Sequence, residues 1–156
     1  MTRVEGEVLI DRPVEEVFDF VADERNEPRF NPRMLYAEKI TPGPIASGTR
    51  FRAIVRTFGR PTEMTTEFTA CERPRRVVLI THLSRMDIDG ALTFEPVDRG
   101  TRMSWSWELM PTGLLKLASP LLARIGRRQE QAIWSNLKEV LEHEDGPVAP
   151  EMVAEE

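Results

Sequence analysis

Residues 101–142 read TRMSWSWELMPTGLLKLASPLLARIGRRQEQAIWSNLKEVLE. Over Thr101–Met110, Met103, Trp105, Trp107 and Leu109 alternate with Ser104, Ser106 and Glu108, the period of two expected of a strand with one dry face. After a short break, Ser119 and Pro120 put a capping hydroxyl before a proline at the first helical position, and a helix is predicted to run from there to about Glu142. At 100° per residue, Leu121, Leu122, Ile125, Ala132, Ile133 and Val140 fall on one half of its wheel. Arg124, Arg127, Arg128, Lys138, Glu139 and Glu142 fall on the other. A one-sided strand followed by a long one-sided helix is the pattern of a sheet that closes on its C-terminal helix.

Upstream, the same alternation recurs. Arg3–Ile10 reads as a strand, and Pro13 followed by Glu15 and Glu16 opens a first helix over Val14–Ala22 with Val14, Val17, Phe18 and Val21 at helical spacing. The polar, proline-containing stretch 23–32 is a second short helix or a loop. After the turn cluster TPGPIASG (41–48), Phe51, Ala53, Val55 and Thr57 oppose Arg50, Arg52 and Arg56; Met64, Thr66 and Phe68 then oppose Glu63, Thr65 and Glu67. Strands over Arg76–Leu83 and Asp87–Glu95 follow, the first apolar on both faces through Val77–Ile80, so its inward face is not fixed. Asp98-Arg99-Gly100 signals a tight hairpin. The expected class is α+β, a meander of antiparallel strands with short connections and a long last helix.

The chain has 156 residues, enough for one domain with a substantial core. Residues 1–144 form it, and 145–156, rich in acids and prolines without period, read as a flexible tail. With 21 Lys and Arg against 26 Asp and Glu, the net charge of −5 has the wrong sign for neutralising phosphates, so nucleic acid is not an expected partner. The single Cys71 excludes an internal disulfide, and with the separated His82 and His143 it provides no metal-ligand cluster; no metal or cofactor is expected. Charges interrupt every apolar stretch before a bilayer-spanning length, and the N-terminus has no signal-peptide pattern, so a cytoplasmic protein without integral membrane association is expected.

Gln129 and Asn136 stand near the middle of the apolar half of the last helix. A buried amide without partners costs about 1–3 kcal/mol, so each needs a sheet hydroxyl such as Thr57, Thr66 or Thr101, an ordered water, or a guest in a cavity. Gly126 costs about 1 kcal/mol relative to alanine in a helix and serves either close packing or ligand volume.

Beyond these patterns, the chain resembles the START-like (Bet v 1-like) superfamily and its bacterial polyketide cyclase/dehydrase-like (SRPBCC) branch. The resemblance rests on IDRPVEEVFDFVAD (10–23), NEPRFNP (26–32), PGPIASGTRF (42–51), ERPRRV (72–77), FEPVDRGTRMSWSWEL (94–109) and NLKEVLE (136–142). Phe30 stands where such sequences more often have tryptophan. The resemblance implies a helix-grip fold: a curved seven-stranded antiparallel sheet wrapped around the C-terminal helix, two short helices after strand 1, and an apolar cavity between sheet and helix. It implies no single chemistry, since such proteins include lipid carriers, polyketide cyclases, hormone receptors and quinone-binding proteins.

The residues expected to meet a small apolar ligand are Phe30, Phe51, Ala53, Val55, Met64, Thr66, Phe68, Met103, Trp105, Trp107, Gln129, Ile133 and Asn136. Binding of a lipid, polyketide, isoprenoid or aromatic metabolite is the preferred reading. A cyclase or dehydratase acting in the same cavity is the alternative; it requires a general acid or base, for which His82, Tyr36, Asp23, Glu24, Asp87 and Asp89 are weak candidates and none is assigned. Asp23 and Glu24 are expected near the entrance as solvated carboxylates, and Asp87 and Asp89 to point outward. A third reading takes Leu114–Ile125 with Lys116, Arg124, Arg127 and Arg128 as a contact for a membrane or a protein, although core closure competes for its apolar side. An exposed apolar mouth would also support a homodimer.

Overall fold

The computed structural model describes residues 2–57 and 59–143; the tail expected over 145–156 lies outside them. Seven strands, β1 (Thr2–Ile10), β2 (Met34–Lys39), β3 (Arg50–Thr57), β4 (Arg60–Glu72), β5 (Arg76–Leu83), β6 (Met86–Val97) and β7 (Gly100–Pro111), form one antiparallel sheet in the order β1-β7-β6-β5-β4-β3-β2. From β2 to β7 each strand pairs with the next in sequence, and β1 closes onto β7, with Gly6 opposite Trp105. Helix α1 (Val14–Ala22) and a 3₁₀ segment (Glu24–Arg29) fill the gap between β1 and β2, and α2 (Ser119–His143) follows β7 through a second 3₁₀ segment (Gly113–Ala118). This is the helix-grip arrangement.

Local chemistry accounts for the boundaries. β1 ends at Ile10, and Pro13, expected at the first helical position, sits one place earlier, at the N-cap of α1 in extended conformation. Asp98, at φ 27°, and Arg99 make the two-residue β6–β7 turn. Ser119 departs from expectation. It is already helical, and its Oγ donates to the Lys116 carbonyl at 2.9 Å, so it joins the 3₁₀ segment to α2 and does not cap a free helix start. Leu114 and Leu117 in that segment are 86% and 83% exposed, so core closure makes no use of them.

The buried stripe of α2 is Ile133, Trp134, Leu137 and Leu141. It is rotated from the expected one: Ala132 is exposed, Leu121 and Ile125 are exposed, and Asn136 lies on the solvent flank. Packing against β1 decides the rotation, because Gly126 brings the helix close to the sheet. A Cβ there would stand 3.2 Å from the Val4 side chain and 3.8 Å from that of Leu109. Close packing is therefore one use of this glycine, and it also borders the cavity described below.

Candidate functional site

The concave face of the sheet is divided along its length. At one end Phe51, Phe94, Met103 and Trp105 pack with Val14, Val17 and Phe18 of α1 and Leu137 and Leu141 of α2 in a solid core, where Phe18 meets Phe94 edge-on at 5.0 Å. At the other end α2 stays close to β1 and leaves a cavity of about 980 Å³ between itself and the strands further along the sheet. Its walls are Val55, Met64, Phe68, Leu79, Ile88 and Leu92 from the strands, Leu122, Ile133 and Trp134 from α2, and Phe30. The exposed residues Arg60 and Arg85 border it at the β3–β4 and β5–β6 connections, with Leu115 of the second 3₁₀ segment.

Three carboxyl groups reach this apolar space. Asp23 caps the first 3₁₀ segment, accepting from the Arg25 backbone N–H at 3.1 Å and forming a two-pronged pair with its guanidinium at 2.8 Å on both prongs. Residues three apart lie on the same side of a 3₁₀ helix, so Glu24 and Glu27 turn inward together and both line the cavity. The buried Asn26 amide donates to the Phe20 carbonyl at 3.0 Å and ties the segment to α1. Asn31 Nδ2 donates to Glu27 Oε2 at 2.8 Å. The third carboxyl, Glu130, comes from α2; its Oε1 accepts from Trp107 Nε1 at 2.7 Å and from Trp134 Nε1 at 2.8 Å.

Burial governs the protonation of all three. Glu24 is 7% exposed, and desolvation, reinforced by the neighbouring charges of Glu27 and Asp23 against a Thr66 hydrogen bond, holds its pKa well above the ordinary carboxylate range. Desolvation likewise pushes Glu27 up to about 7, with Asn31 opposing and Glu130 adding to the rise. Glu130 is raised by desolvation against the two indole hydrogen bonds. Glu24 Oε2 is buried without a hydrogen-bond partner, a cost of about 1–3 kcal/mol or more for such a group. Among the described residues, no group of three or more His, Cys, Asp or Glu could hold a metal ion.

Of the residues expected to meet a ligand, Phe30, Val55, Met64, Thr66, Phe68, Trp107, Gln129 and Ile133 border the cavity together. Four others do not. Phe51, Ala53, Met103 and Trp105 are buried outside its wall, because inward alternation runs the whole length of each strand while α1 and the end of α2 fill part of that face. Trp105 offers no donor to a guest; its indole crosses Gly6, and its buried Nε1 has no partner. Asn136 donates to the Phe30 carbonyl at 3.1 Å, tying α2 to the end of the 3₁₀ segment, and does not face the cavity. Of the three hydroxyls proposed as partners for the two amides, two are engaged elsewhere: Thr66 with Thr81 at 3.0 Å, and Thr101 with the Arg12 carbonyl at 2.8 Å.

The acid–base candidates are also redistributed. His82 lies on the outer face, its Nδ1 2.9 Å from Asp87 Oδ1, and Tyr36 donates to Glu38 on the exposed edge strand. Asp89 is exposed as expected. Glu24 is the correction: it is buried in the cavity wall and is not a solvated entrance group. Glu27 and Glu130 carried no assignment in the sequence reading. Their signals were the i, i+3 relation to Glu24 and the i, i+4 relation to Trp134, in segments whose helical type and rotation periodicity alone did not define.

A family model described as polyketide cyclase / dehydrase and lipid transport matches residues 1–142. No curated protein matches the chain. Among solved structures, a START superfamily protein from Mycobacterium smegmatis superposes with a TM-score of 0.77 at 11% identity, covering 88% of this chain and 95% of that one. The structure of Ara h 8.0201 gives 0.68 at 15% identity, over 87% and 94%. The di-domain ARO/CYC BexL from the BE-7585A biosynthetic pathway gives 0.71 at 22% identity, over 92% of this chain and 48% of that one. At these identities the likeness is one of fold. Among the described residues no helix is long and apolar enough to cross a membrane.

Proposed function

We propose, from the premise that the chain belongs to the polyketide cyclase / dehydrase and lipid transport family, that it binds a small, mainly apolar molecule in the cavity between the sheet and α2. The observation that carries this is the cavity itself, about 980 Å³ with apolar walls supplied by strands and helix alike. Enclosed apolar space is costly to leave dry, at roughly 24 cal/mol per Å³, and a few hundred Å³ of it would rival the whole stability of a domain. The cavity must hold water or a guest, and water gains little from walls of methionine, leucine and phenylalanine. Calorimetric titration with decanol is expected to give saturable one-to-one binding; heats no larger than those of mixing would sink the reading.

A second reading, proton-transfer catalysis on a ligand in the same cavity, is favoured by one observation: Glu27, pushed up to about 7, is poised between acid and base at neutral pH. Glu27 would then be the catalytic residue, with Asn31 holding one of its oxygens. Turnover of an identified guest that survives Glu27→Gln unchanged would exclude that role.

A further inference from the structure

The hydrogen bonds made to the three cavity carboxyls are lopsided. Asn31 occupies Glu27 Oε2, and both indoles converge on Glu130 Oε1. Glu24 is reached by Thr66, yet its buried Oε2 has no partner. One oxygen of Glu27 and one of Glu130 are thus held, and the other oxygen of each is left to whatever occupies the cavity, whereas Glu24 Oε2 is closed off from that space. The charges that act on Glu24 and Glu27 are themselves acidic, Glu27 and Asp23 on the first and Glu130 on the second. The cavity-lining cations, Arg33, Arg60 and Arg85, come from the segment before β2, the start of β4 and the β5–β6 turn. On the 3₁₀ segment itself, the Arg29 guanidinium lies over the Phe20 ring at 5.3 Å. Trp107, Trp134 and Phe30 line the same cavity, and aromatic rings accommodate a cation as well as an apolar body.

We propose that the cavity recognises a ligand carrying a basic nitrogen, whose N–H groups meet the open oxygens of Glu27 and Glu130 while its apolar body lies between α2 and the sheet. This rests on the reading of the cavity as a binding site and names the class of molecule it takes. A positive nitrogen supplies donors to both acceptors at once and offsets the mutual repulsion of the acids. A neutral alcohol of the same length supplies one donor and no charge.

The test compares decylamine with decanol by calorimetry at about pH 5.5 and about pH 8.5, on either side of Glu27 and below the titration of an alkylamine. Decylamine is expected to bind at least about tenfold more tightly than decanol at the higher pH. Most of that advantage should disappear at the lower pH, where Glu27 is protonated, and in Glu27→Gln and Glu130→Gln. The comparison on the wild-type chain stands even where a variant fails to fold. Equal affinity for amine and alcohol at both pH values would overturn the basic-nitrogen inference and leave the apolar-binding reading standing. Binding of neither would overturn both.

Discussion

At the scale of single residues, the chain keeps ionisable groups where their charged form is disfavoured. For Glu27 the folded state retains a proton that the unfolded state releases between about 4.5 and about 7. Its contribution is therefore fully present below the unfolded value and is lost as pH rises through 7; Glu24 and Glu130 shift in the same direction. Denaturant unfolding should show lower stability at about pH 8 than at about pH 5, with Glu27→Gln recovering up to about 3 kcal/mol at the higher pH. A variant as pH-sensitive as the wild type would refute the assignment. Little of this chemistry was legible in the sequence, where Glu24 read as an entrance carboxylate and Glu27 and Glu130 carried no assignment. Burial comes from the 3₁₀ turn and the rotation of α2, neither of which residue type reveals.

Strands and helices differed in how well they could be read. Alternation is robust in a sheet because a one-residue error reverses every side chain, and the inward faces of β3, β4 and β7 were identified correctly. What alternation does not encode is which part of an inward face will be covered. That is why Phe51 and Met103, on the expected face, pack in solid core and not around a cavity. The helix wheel was less secure: a rotation of one position exchanges Gln129 for Glu130 and Asn136 for Leu137. The two orientations make opposite predictions for mutation. Leu137, fully buried, should cost about 2–5 kcal/mol on replacement by alanine. Exposed Ala132 should tolerate lysine within about 0.5 kcal/mol. Thermal unfolding of both variants checks this, and a destabilising Ala132→Lys with a neutral Leu137→Ala would restore the original wheel.

For the whole molecule, the order of elements was enough to indicate the architecture. A strand and a short helix, a meander, and one long final helix leave few ways to bury a one-sided sheet against a one-sided helix. The ligand was not indicated. Its recognition depends on Glu27 after β1, Trp107 on β7 and Glu130 on α2, more than a hundred residues apart at the extremes and joined only by the closure of α2 over the sheet. The fold supplies an apolar container; these side chains supply what polarity it has. The most direct measurement is native mass spectrometry of the protein purified without denaturation, followed by extraction and identification of any bound small molecule and by addition of decanol. The account predicts one apolar guest per chain, or a mass increase of one decanol where none is carried. A bare chain that gains no mass with decanol would contradict it.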